Sequence, residues 1–113
     1  MTFADEDWKC LPGGTLIRQG IADLFARKTT IEACLVVIAL SRMKDMGLVP
    51  GDFRSAIVEG ELTLYRLLRS QPGDAYLRYN AFLHELTSFL QTAPGWMRST
   101  GKTVEPPETS FAR

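Results

Sequence analysis

Apolar residues recur at helical spacing in several segments of this chain, and one of those segments is apolar on every side. From Ala33 to Leu40 the sequence reads ACLVVIAL, without a polar side chain. Eight such residues turn more than twice around a helix axis, so the cylinder has no face for water and belongs inside a core. Both ends are marked. Thr29 and Glu32 have the spacing of a capping box, Arg42 and Lys44 stand where cations oppose the negative helix pole, and Gly47 suits a left-handed C-terminal cap. The pattern predicts a central helix over 29–47 with the rest of the chain wrapped around it. CLVVI has local β propensity, which the caps and helical flanks outweigh.

Three more helices follow from the same spacing. The first, over about 15–27, lines Ile17, Ile21, Leu24 and Phe25 on one face, with Gly20 beside the stripe. A glycine inside a helix costs roughly 1 kcal/mol relative to alanine, so Gly20 is expected to admit a close neighbour, the central helix. A helix over about 53–70 places Ile57, Leu64 and Leu68 together, widened by Val58, Leu62 and Tyr65, with Gly60 as a point where it divides. The last, over 75–93, gathers Ala75, Tyr79, Phe82, Leu83, Leu86, Phe89 and Leu90 opposite Leu77, Ala81, His84 and Ser88.

Pro-Gly recurs at 12–13, 50–51, 72–73 and 94–95 and punctuates these segments. At 50–52 and 72–74 it extends to Pro-Gly-Asp, with Asp suited to an N-cap. Residues 1–11 read as an N-terminal arm anchored by Phe3, Trp8 and Leu11. After Pro94 the periodicity stops, with Trp96 and Met97 folding back, and residues 98–113 lack the apolar surface to offset ordering, which predicts a disordered tail. The expected fold is all-α: one compact bundle of about four helices over 12–97, built on a fully apolar central helix.

A length of 113 residues suits one domain with its own core. Thirteen basic residues balance thirteen acidic ones, so the long-range field that draws proteins to phosphate is missing. Nucleic acid is not an expected partner. The acidic start MTFADEDWKC lacks the features of a secretory signal, and the longest apolar run is about half a bilayer span, so no membrane is expected. Cys34 falls inside the apolar run, where a free thiol acts as a small hydrophobe; with Cys10 as the other cysteine, the reading is a reduced, cytoplasmic protein.

Chemistry finds little purchase. The one histidine, His84, sits opposite its helix's apolar stripe, as a solvated residue would. Cys10, Cys34 and His84 are too scattered for a metal site. Pro12-Gly13-Gly14 reads as turn chemistry rather than an anion cradle. Glu59 and Glu61 project apart, and Asp5-Glu6-Asp7 lies on the arm. The expectation is no catalytic residue, no metal, no cofactor and no enzymatic activity.

Two stretches resemble known motifs. IRQGIADLFARKTTIEACL resembles a helix-turn-helix through Ala22, the short connection, Ile31 and Leu35. It departs from that motif at Ala26-Arg27, where the turn glycine is missing, and at Glu32, where an apolar residue should pack. Its second helix also lacks the polar face that reads base edges. RLLRSQPGDAYLRYNAFLHEL resembles one junction between tetratricopeptide repeats, but no period of about 34 residues runs through the chain. Neither assigns a family.

Two surfaces remain. Arg66 and Arg69 lie one turn apart, and an antiparallel hairpin would bring them to Arg78 and Tyr76 as a patch for a protein partner. On the central helix, Ile31, Cys34, Leu35 and Ile38 continue the inward stripe, leaving Val36, Leu40 and Met43. Exposed, those three would form an apolar patch of a kind that soluble monomers avoid. A two-fold homodimer would cover it, with Trp8 and Trp96 folding over that side as the competing cover. The functional expectation is a non-enzymatic protein–protein interaction or regulatory module, with a small DNA- or RNA-binding regulator as the alternative.

Overall fold

The structure, a computed structural model, describes residues 5–101. Six helices follow one another: α1 (Asp5–Cys10), α2 (Gly14–Phe25), α3 (Ile31–Ile38), α4 (Leu40–Asp45), α5 (Gly60–Arg69) and α6 (Ala75–Thr100). No strand occurs among the described residues. The fold is all-α, and the helix count exceeds four because part of the arm is helical and the central helix is divided.

The apolar segment is the centre of the molecule, as its composition requires. Ala33, Cys34, Leu35 and Val36 are all fully buried. α2 crosses one side of α3 and α5 another, and each does so over a glycine. A Cβ on Gly20 would collide with the Glu32 carbonyl oxygen and stand 2.7 Å from Val36 Cγ2. A Cβ on Gly60 would stand 3.0 Å from Ile38 Cγ1 and 3.2 Å from the Cys34 carbonyl oxygen. Gly20 thus admits the central helix, as its place in the sequence implies.

The expected helix over 29–47 is two helices. Ala39, at φ −111° and ψ 31°, leaves helical geometry between α3 and α4. Three consecutive β-branched residues, Val36, Val37 and Ile38, precede the break, and such side chains crowd the preceding turn. The N-cap is Thr30 rather than Thr29. Its hydroxyl accepts the Ala33 N–H at 3.1 Å and donates to Asp23 Oδ2 at 2.8 Å. Gln19 Nε2 donates to the other Asp23 oxygen at 2.9 Å, so one buried carboxylate ties the end of α2 to the start of α3.

α2 and α4 stop in the same way. At the end of α4, Gly47 has φ 80°, its N–H donates to the Lys44 carbonyl at 3.1 Å, and the Leu48 N–H reaches Met43 at 2.9 Å. This is the paired pattern of a Schellman cap. After α2, Arg27 takes the left-handed position at φ 60°, with Arg27 N–H to Leu24 at 3.1 Å and Lys28 N–H to Asp23 at 2.9 Å.

Residues 53–59 are not the expected first turns of the third helix, which begins at Gly60. Phe53 closes a turn on Pro50 at 3.1 Å, and Ser55 Oγ accepts the Ile57 N–H at 2.9 Å, a local bond that competes with helix. Buried Leu48, Val49 and Ile57 pin the connection, and Phe53 stacks on Phe25 with centroids 4.7 Å apart.

The last helix runs through Pro94 to Thr100 instead of stopping at residue 93. A proline inside a helix leaves the carbonyl four residues back without its N–H. That carbonyl belongs to Leu90, and Arg42 Nη2 donates to it at 3.3 Å. Gly101, at φ 71°, then caps the helix. Residues 98–100, expected in the disordered tail, are therefore helical, while residues 102–113 and Phe3 lie outside the described residues. The arm supplies α1, whose Trp8 is buried and stacks with Phe89 at 6.2 Å; Leu11, just beyond it, is also buried.

Two outcomes follow. Gly20→Val should lower unfolding stability by about 2–3 kcal/mol, since the α2–α3 crossing must open to take the side chain. A denaturant midpoint equal to the parent's would show that the crossing has slack. Arg27→Gly should raise stability by about 0.5–1 kcal/mol, because relief of left-handed strain outweighs glycine's extra chain entropy. An unchanged or lower melting temperature would show that the Arg27 side chain contributes more than its backbone costs.

Candidate protein-contact face

The α5–α6 hairpin holds the residues that sequence spacing singles out for contact. In α5, Gly60, Leu64 and Leu68 recur every four residues and are buried. Half a turn away, Leu62, Arg66 and Arg69 share the solvent-facing side and are exposed. The hairpin closes through residues 70–74. Ser70 Oγ donates to the Leu67 carbonyl at 2.7 Å, and Asp74 Oδ1 accepts the Leu77 N–H at 3.1 Å as the N-cap of α6. Tyr65 and Tyr79 meet edge to face across the two helices, centroids 5.6 Å apart.

Arg69 lies one turn beyond Tyr65, and Tyr76 one turn before Tyr79, so both stand at the hairpin's closed end. Tyr76 is 63% exposed. Arg78 does not join them. Two residues along a helix turn about 200°, which carries Arg78 away from Tyr76 and toward the turn. There its Nη1 donates to Gln71 Oε1 at 2.9 Å and to the Pro72 carbonyl at 3.4 Å, and its guanidinium lies 6.0 Å from the Phe82 ring centroid. Arg78 is half-buried and braces the connection. Of the expected patch, Arg66, Arg69 and Tyr76 are exposed, and Arg78 is committed within the chain.

Val36 and Met43 are fully buried by the chain itself, and Leu40 is half-buried. They form no exposed apolar patch, and a second copy has no surface of Val36 or Met43 to touch. Close approach is the reason, since α2 reaches Val36 over Gly20 without intervening side chains. Trp8 and Trp96 belong to the same continuous core.

Exposed apolar residues lie elsewhere. Val58 is 88% exposed and Leu62 43%, although spacing assigns both to the inner face of the third helix. The late start of α5 removes Val58 from the helix, and the close Gly60 contact turns Leu62 outward. Leu77, 64% exposed, lies on the polar side of α6, as its spacing implies. Sequence reasoning missed two buried carboxylates, Asp7 on the arm and Asp23, each 7% exposed, and Asp23 is the one that joins two elements. Its only signal is a position beside Leu24, seven residues before Thr30.

The remaining candidates stay apart. His84, Glu59 and Glu61 are exposed. Gly13 lies against α6, where an added Cβ would stand 2.7 Å from the Glu85 carbonyl oxygen, so a carbonyl occupies the place an anion would need. Among the described residues no three His, Cys, Asp or Glu side chains converge as metal ligands, and no helix is long and apolar enough to cross a membrane. α3, the second helix of the helix-turn-helix resemblance, is buried from Ala33 to Val36 and offers no face to a groove.

Both cysteines are free, Cys10 exposed and Cys34 buried. Burial pushes the Cys34 thiol from 9.0 up to about 11, so it stays protonated and unreactive. Maleimide should therefore label Cys10 alone in the folded protein and both cysteines in denaturant; rapid double labelling without denaturant would show that the core opens around α3. The pH dependence has a definite sign. As pH rises from 9.0 toward 11 the unfolded chain loses this proton first, so Cys34 contributes a fall in stability across that window.

Set against known families, curated proteins and solved structures, the chain matches none.

Proposed function

We propose that this protein is a non-enzymatic protein-interaction module whose contact surface is the outer face of α5 with the adjoining start of α6. The observation that carries the reading is the grouping of Leu62 and Tyr76, 43% and 63% exposed, with the exposed Arg66 and Arg69 on one hairpin. Scattered exposed apolar residues are ordinary on a protein surface. Tyrosine and arginine beside an apolar side chain form the composition found at interface centres. The hairpin suits the role because its inner side is fixed by Leu64, Leu68 and Phe89, all fully buried, so binding would order little backbone. A reducing, cytoplasmic setting accords with two free thiols.

The test is capture from the native cell extract with the intact chain as bait. Arg66→Glu, Arg69→Glu and Tyr76→Ala, combined, should abolish specific capture with unchanged helical circular dichroism, whereas Arg54→Glu should not. A triple variant that keeps its partners would move the contact elsewhere. Salt-dependent affinity for random DNA, lost in the same variant, would favour the nucleic-acid alternative.

A further inference from the structure

The outer side of α5 is ordered in charge as well as exposed. Glu59 stands at its start and Arg66 and Arg69 at its end, all exposed, with Leu62 between them and Val58 beside its entry, while the exposed Glu61 lies about 100° round the helix from Leu62, at the edge of this side. Acid first and base last also suits the helix dipole. The dipole gives no account of an exposed leucine in the middle, nor of a valine 88% exposed at its edge.

A uniformly acidic partner would meet the glutamates, and a uniformly basic one the arginines. A surface with one sign at each end is complementary to itself turned end for end. We propose that this face takes a second copy of the chain, with α5 pairing antiparallel to its counterpart across a two-fold axis level with Leu64. This rests on the contact-face reading above and names its partner. In that register Glu59 stands opposite Arg69 of the second copy, and Leu62 opposite Arg66. Two leucines then flank the axis, covered by the aliphatic stems of the arginines, and the ion pairs lie at the rim. The arrangement is isologous, as a closed two-fold contact must be.

The contact is small. α5 has ten residues, a helix of about 15 Å, so the buried area falls below the ~1,200 Å² of standard stable interfaces and the dimer is weak and concentration-dependent. Rim ion pairs make it salt-sensitive as well.

Sedimentation of the full chain, from low micromolar to near millimolar concentration, reads this directly. The parent mass should climb toward twice the monomer and fall back in about 1 M salt, where the screening length is about 3 Å. Glu59→Arg with Glu61→Arg makes the face wholly basic, and Arg66→Glu with Arg69→Glu makes it wholly acidic. Each double variant should stay monomeric with parental helicity, and an equimolar mixture of the two should associate. Leu62→Glu, which leaves both charged ends in place, should also remain monomeric. A monomeric parent at every concentration overturns the proposal, as does a dimer that both double variants retain or a mixture that fails to associate. A monomeric parent that still captures a cellular protein through Arg66 and Arg69 would remove the self-pairing and leave the contact face standing.

Discussion

The structure depends on two backbone approaches to α3. An eight-residue helix has little length over which to gather neighbours, and this one is apolar at every position but Glu32. Side chains from distant helices would leave gaps beside so short a cylinder. Gly20 and Gly60 remove that distance by letting the backbones of α2 and α5 lie almost against it. Interiors are packed to crystal density, and a contact without intervening side chains reaches that density in little space. The cost is glycine in a helix interior, roughly 1 kcal/mol relative to alanine at Gly20. Four fully buried residues in succession, Ala33 to Val36, are the return on it.

Close approach also commits polar groups. With α2 drawn onto α3, the turn between them must reverse the chain in five residues, 26–30, with its backbone groups satisfied. Asp23 organises that turn. Its carboxylate takes Gln19 from one side and Thr30 from the other, while its carbonyl closes the left-handed cap through Lys28. A carboxylate as buried as Asp23, 7% exposed, is acceptable because it is hydrogen-bonded. The same accounting explains Arg42: the Leu90 carbonyl that Pro94 cannot serve receives a guanidinium N–H from α4, and the helix continues.

These arrangements mark how far sequence reasoning reached. Helical class, the inward stripe of Ile17, Ile21 and Leu24, the close packing at Gly20 and the cap at Gly47 are local, and spacing or backbone requirement carries them. The splitting of the central helix was less legible, because the crowding of Val36, Val37 and Ile38 is weak beside the cap signals around it. Pro94 was misleading for a clearer reason. Its effect depends on Arg42, far away in sequence, and no local rule contains that partner. Residues 53–59 failed similarly: helical spacing is present, but Pro50, Ser55 and the stacking of Phe53 on Phe25 draw the segment into a pinned connection. On the α5–α6 hairpin, Arg66, Arg69 and Tyr76 were legible as exposed residues. Arg78 was not, since its engagement with Gln71 and Phe82 depends on how the turn closes.

The cover over one side of α3 and the apolar residues exposed on α5 are linked through one contact. Gly60 is both the point where α5 touches Ile38 and Cys34 and the residue that fixes the rotation of α5 about its axis. With Gly60 inward, helical geometry carries Leu64 and Leu68 inward after it and sets Leu62, Arg66 and Arg69 on the far side. A rotation that buried Leu62 would lift Gly60 off α3 and uncover that helix from Cys34 to Ile38. Covering the Cys34 and Ile38 side of α3 and exposing Leu62 are therefore consequences of one packing solution. The exposed residues of α5 lie where the core's own geometry puts them, on the side away from α3.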